Sequence, residues 1–185
     1  MVDGVAESPG GELYFCDATE PRIFKVEAGR EVVLYKHSGL VKHLAFDPSG
    51  RLYFSSVTGS RDDGVIYRLD GTEATPVYSI RQEEIGGRWS GTFAFDRQGR
   101  VWLSSGARLP ASLYRLENSR YVKVFTTQVS GIMGFVFLAD GSIAYADNDR
   151  SVMRLTLPDL QLTRLFESPY EGWLTDVKLA SKVTK

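Results

Sequence analysis

His37 and His43 are the two histidines of the chain, and histidine is the side chain best suited to acid–base work near neutral pH. No serine or cysteine shares a recognisable nucleophile motif with either. The run Asp147-Asn148-Asp149 offers oxygen donors of the kind a calcium loop uses. It lacks the further ligands and closing glutamate of an EF-hand, so capping of a turn is the simpler reading. Trp89 and Trp173 each precede an apolar segment, where an indole either stacks on a ligand or partner or fills a gap between elements. Trp102 lies inside an apolar segment and reads as core. Cys16 is the only cysteine, so no intrachain disulfide supports the fold. Two charged runs of mixed sign, Arg61-Asp62-Asp63 and Arg81-Gln82-Glu83-Glu84, read as solvated loops of the kind that carry recognition on rigid scaffolds. What any of these residues can do depends on the elements that place them.

Those elements recur. GVAESPGGELYF from Gly4, HLAFDPSGRLYF from His43, TFAFDRQGRVWL from Thr92 and GFVFLADGSIAY from Gly134 share one pattern, anchored on Gly11, Gly50, Gly99 and Gly141. A period of about 40 to 50 residues belongs to propeller blades or to paired helical repeats. Apolar residues two apart, such as Leu44 with Phe46 and Phe93 with Phe95, decide for strands. The anchor glycines predict hairpin turns with positive φ. A third strand recurs as RIFKVE, VIYRLD, SLYRLE and VMRLTL, and a weaker fourth as VVLYK, PVYSI, VKVFTT and TRLFES. Four antiparallel strands per repeat describe an all-β propeller blade.

Composition narrows the function classes. A hydrophobic fraction of 43% with a net charge of −1 fits a globular chain and excludes a disordered or collagen-like one. Near-neutral charge argues against non-specific nucleic-acid binding, which needs a concentrated basic face. No apolar run approaches the roughly 20 residues that span a bilayer, and the first residues lack the basic and apolar regions of a signal peptide. The chain therefore reads as cytoplasmic unless an upstream segment is missing.

DGVAESPGGELYFCDATEPRIFKV and IAYADNDRSVMRL resemble blades of the gluconolactonase, senescence-marker-protein and strictosidine-synthase-like superfamily, and they look like NHL repeats. The resemblance implies a six-bladed propeller, of which this chain encodes four blades at approximately 3–41, 42–90, 91–132 and 133–174. Residues 175–181, with Val177 and Leu179 in apolar positions, read as the first strand of an incomplete fifth blade. A closed four-bladed ring has no place for that strand, so a partial propeller is the favoured expectation. Such an arc exposes the apolar faces of its terminal blades and predicts self-association through its ends.

The resemblance also implies a functional pocket where the first strands begin. Seven residues before the anchor glycines stand Gly4, His43, Thr92 and Gly134, with Asp176 in register; eight before them stand Asp3, Lys42, Gly91 and Met133. Lactonase-like relatives hold a divalent cation there, which makes Asp3 and Asp176 candidate ligands for Ca²⁺ or Mg²⁺. Lys42, Gly91 and Met133 depart from that pattern, and Arg88-Trp89-Ser90-Gly91 stands in place of an Asn-Asp-Gly-type stretch. His43 is the one candidate catalytic residue, and His43, Thr92, Arg88, Trp89, Trp173 and Asp176 form the candidate ligand-binding set. The reading is a binding or scaffolding module for a small polar ligand or a protein. Its competitor is a metal-dependent hydrolase of lactones or related esters, incomplete in this chain.

Overall fold

A computed structural model describes residues 2–17, 19–58, 63–105, 110–127, 131–147 and 151–169. Its first sheet holds β1 (Val2–Glu7), β2 (Leu13–Asp17), β3 (Arg22–Glu27) and β4 (Arg30–Lys36). The second holds β5 (Val41–Phe46), β6 (Leu52–Thr58), β7 (Asp63–Asp70) and β8 (Glu73–Ile80). A short helix, α1 (Gln82–Ile85), leads to β9 (Phe93–Phe95), β10 (Val101–Ser104), β11 (Ser112–Glu117) and β12 (Arg120–Thr126). The fourth sheet holds β13 (Ile132–Phe137), β14 (Ile143–Asp147), β15 (Ser151–Thr156) and β16 (Gln161–Glu167). Each sheet is antiparallel with its strands in chain order, and the four form the blades of an all-β propeller. The fifth-blade strand expected at 175–181 lies outside the described residues.

The turns explain why these segments form hairpins. All four anchor glycines take positive φ, 83°, 79°, 76° and 84° from Gly11 to Gly141. In blades 2 and 3 an aspartate organises the turn around them. Asp47 Oδ1 accepts the backbone N–H groups of Ser49 and Arg51, while Arg51 Nε donates to Oδ2 at 2.7 Å. Asp96 does the same with Gln98 and Arg100, and the Trp102 indole N–H adds a bond to its Oδ2 at 3.0 Å. These carboxylates are buried. Their hydrogen bonds are what makes burial of the charge tolerable.

Successive blades meet through aromatic pairs at equivalent positions. Tyr14 meets Phe46 at 5.2 Å between ring centroids, Tyr53 meets Phe95 at 4.6 Å, and Trp102 meets Phe137 at 5.4 Å. Around each pair lies one of three hydrophobic clusters, so the core is three slabs, one per junction. The innermost strands follow suit: β1 lies beside β5, β5 beside β9, and β9 beside β13. Among the described residues, β13 makes no comparable contact with β1.

Blade 3 departs from the pattern. Its innermost strand is only three residues long, and the segment before it folds inward instead. Ile85 and Trp89 are buried there, filling the gap between blades 2 and 3. No helix among the described residues is long and apolar enough to cross a membrane.

Candidate functional site

The resemblance places the pocket at the starts of the four innermost strands. β1 supplies Asp3, β5 supplies Lys42 and His43, the approach to β9 supplies Gly91 and Thr92, and β13 supplies Met133. Blades 1 and 2 come very close here: a β-carbon on Gly4 would stand 3.1 Å from His43 Cα and 3.1 Å from Cys16 Sγ. Gly91, at φ 93°, plays the same part between blades 2 and 3, where a β-carbon would meet Lys42 Cβ at 2.6 Å.

The central interaction is an ion pair. Lys42 Nζ donates to Asp3 Oδ2 at 3.1 Å, and both side chains are about one-third exposed (33% and 32%). The Asp3 carboxylate thus already faces a cation, the ammonium of the neighbouring blade. Among the described residues no group of three His, Cys, Asp or Glu side chains is placed to hold a metal. These residues do not fit the Ca²⁺ or Mg²⁺ site that the resemblance implies, because a hard cation wants several oxygen donors and no ammonium beside them.

Of the remaining candidates, His43, Thr92 and Trp89 are enclosed. His43 is 7% exposed, with its ring edge-on to Phe93 at 5.6 Å. The Thr92 hydroxyl donates to the Met133 carbonyl at 2.6 Å and receives a bond from Ser90 Oγ at 3.2 Å. Trp89 is 2% exposed, and its indole N–H donates to the Thr92 carbonyl at 3.1 Å. Of the two roles open to this indole, the structure places it in packing between blades. His37 sits among Tyr35, Phe54 and Tyr67, where burial pushes its pKa down and favours the neutral imidazole. Arg88 is exposed. Trp173 and Asp176 lie outside the described residues, as do Arg61, Asp62, Asn148 and Asp149.

Two features were not drawn from the sequence. The Lys42–Asp3 pair joins residues eight before their anchor glycines on adjacent blades, a shared offset that could have revealed it. A groove of about 580 Å³ lies beside α1, lined by Asp63, Arg81, Gln82, Glu83, Gly86 and Gly87. Its wall is pinned by the Gln82 N–H donating to Asp63 Oδ1 at 2.8 Å and by the Tyr114 hydroxyl donating to the Ile85 carbonyl.

No family model matches the sequence, and no curated protein matches it. Solved structures do. A chain from a nidogen/laminin complex superposes with a TM-score of 0.74 at 14% identity, covering 98% of this chain and 69% of that one. A gluconolactonase from Xanthomonas campestris gives 0.70 at 13% identity, covering 95% and 64%. A luciferin-regenerating enzyme gives 0.60 at 20% identity, covering 90% and 60%. The chain spans only 60–69% of the length of these three. The likeness at such identities is one of architecture: this chain shares the β-propeller fold of gluconolactonase and luciferin-regenerating enzyme.

Proposed function

We propose that this propeller is a binding module that engages a protein through its channel-mouth face. The observation that carries the reading is the Lys42–Asp3 ion pair, which sets an ammonium against the carboxylate that a lactonase-like metal site would need. His43 and Thr92 are enclosed, so the groups offered to a partner are the charged side chains of the 81–88 segment, Arg81, Glu83, Glu84 and Arg88. Loops presented by a rigid scaffold suit this role. A nidogen/laminin complex among the fold neighbours supports it by analogy of architecture.

Calorimetric titration with Ca²⁺ and Mg²⁺, followed by assay on a panel of lactones, tests the reading. Neither binding heat nor turnover is expected. Micromolar metal binding that Asp3→Ala abolishes, together with lactone hydrolysis above background, would restore the hydrolase and overturn the binding module. For the face itself, a partner captured by the wild type should be lost on Arg81→Glu with Arg88→Glu and kept on Arg120→Glu, at an exposed position on blade 3's outermost strand. The opposite pattern would sink the assignment of the face.

A further inference from the structure

The turns that join the first two strands of each blade lie at the opposite ends of the innermost strands from Lys42 and Asp3. Between the turns of blades 2 and 3 is a cavity of about 340 Å³. Arg51, Tyr53 and Tyr78 of blade 2 border it, with Phe95 and Arg97 of blade 3. We propose that this cavity binds a small aromatic carboxylate, the two guanidinium groups taking the carboxylate and the three rings the aromatic body.

This junction differs from its described neighbours at two turn positions. The residue after the anchor glycine is Glu12, Arg51, Arg100 and Ser142 in blades 1 to 4, and the residue two before it is Pro9, Pro48, Arg97 and Ala139. Where the cavity has Arg51 and Arg97, the junction of blades 1 and 2 has Glu12 and Pro48, and that of blades 3 and 4 has Arg100 and Ala139. Among these three junctions, two cations are combined at one alone. The space differs too. A β-carbon on Gly50 would meet the Pro9 ring at 3.6 Å, so the turns of blades 1 and 2 pack together. One on Gly99 would meet nothing within 4 Å. Gly141 is equally open, but no second cation stands at its junction.

Both arginines are held in place without being used up. Arg51 Nε and Nη2 reach Asp47 Oδ2 at 2.7 and 2.6 Å. Arg97 donates to the Ala139 carbonyl and pairs with no carboxylate among the described residues. A guanidinium has five N–H donors, so each keeps several for a ligand oxygen. Asp47, also on the cavity wall, is buried with both oxygens engaged. Its Oδ1 accepts the Ser49 and Arg51 backbone N–H groups, and its Oδ2 accepts Arg51 and the Tyr53 hydroxyl. The wall therefore sets two cations against one shielded anion. Beside them Tyr53 and Phe95 meet at 4.6 Å between centroids, and Tyr78 packs against the same cluster, a surface on which a ring can stack. Ligand pockets run upward from about 300 Å³, so this one suits a ligand with a single ring.

Amide NMR titration of the 185-residue chain with benzoate, and separately with inorganic phosphate and benzyl alcohol, tests the proposal. Benzoate is expected to shift the amides of Tyr53, Phe95 and Gly99 with a Kd of about 1 mM or tighter. Phosphate offers the charge alone and benzyl alcohol the ring alone, and each should bind about tenfold more weakly or worse. Arg97→Gln should weaken benzoate by about tenfold, and so should Arg97→Pro. Proline is what blades 1 and 2 carry at that turn position, so the second variant keeps a turn this fold already uses. Arg120→Gln, exposed on the same blade and outside the cavity, should bind as the wild type does. The absence of saturable shifts overturns the proposal, as do shifts centred elsewhere. Phosphate or benzyl alcohol binding as tightly as benzoate, or full affinity in both Arg97 variants, overturns it equally.

Discussion

Trp89 lies against the backbone of Gly64, so close that a β-carbon there would stand 2.4 Å from the indole Cζ3. The same β-carbon would meet the Ser56 carbonyl at 2.8 Å, and that backbone cannot step aside as a side chain can. Gly64 is on β7 of blade 2, while Trp89 belongs to the segment leading into blade 3, so this contact locks two blades together. Gly64→Ala should destabilise the protein by about 1–3 kcal/mol, the usual cost of overpacking a filled core. Urea unfolding measures it. A midpoint equal to that of the wild type would show that the indole moves freely.

Ser55 and Ser104 occupy equivalent places in blades 2 and 3, and both are fully buried. Ser104 Oγ donates to the Ile132 carbonyl of the next blade at 2.8 Å, whereas Ser55 Oγ has no hydrogen-bond partner among the described residues. Ile132 begins the innermost strand of blade 4, whereas its counterpart in blade 3, Ser90, lies before β9. Ser104→Ala should cost about 1 kcal/mol, while Ser55→Ala should be neutral or stabilising, because it removes an unsatisfied buried hydroxyl. Equal losses for the two in parallel denaturation curves would contradict this.

Asp96 links stability to pH. Burial alone would raise its pKa, but hydrogen bonds from the Trp102 indole and from Arg100 outweigh burial and hold it below the ordinary carboxyl value. A depressed native pKa contributes stability above the unfolded value of about 3.9, and that contribution fades as pH falls through the native pKa. Asp140 in blade 4 acts in the same direction: bonds from the Ser142 hydroxyl and N–H bring it down to about 2. Its window therefore runs from about pH 4 down to about pH 2. Asp96→Asn should lower stability at pH 7 by about 1–3 kcal/mol and flatten the acid limb. Urea midpoints from pH 7 to pH 2.5 that run parallel for variant and wild type would exclude the linkage.

Much of the architecture was legible because each blade repeats the same short-range instructions. Glycine at the anchor, alternation on either side and aspartate three residues earlier in blades 2 and 3 all act within one hairpin, so a single sequence shows them. The site was harder. The sequence placed Trp89 at a loop before a strand and left packing and ligand stacking open. Only the approach of Gly64, 25 residues earlier on a different blade, makes it core. Lys42 was read as a departure from the metal-ligand pattern; its partner Asp3 comes from the neighbouring blade, and the pair was not foreseen. The α1 segment was read as a solvated charged run. Its charged side chains are indeed exposed, yet Ile85 in the same turn is fully buried, and four helical residues are too few to leave a periodic signature.

Every backbone ladder among the described strands closes within its own blade, and no ladder passes from one blade to the next. Neighbouring blades are therefore joined by side-chain contacts and by the single connecting segment of chain between them. Mechanical load applied to the two ends would act first on those soft joints, with each four-stranded sheet left as the stiffer unit. Stretched by single-molecule force spectroscopy, the protein should yield one blade at a time, with the joint held by Trp89 parting after its neighbours.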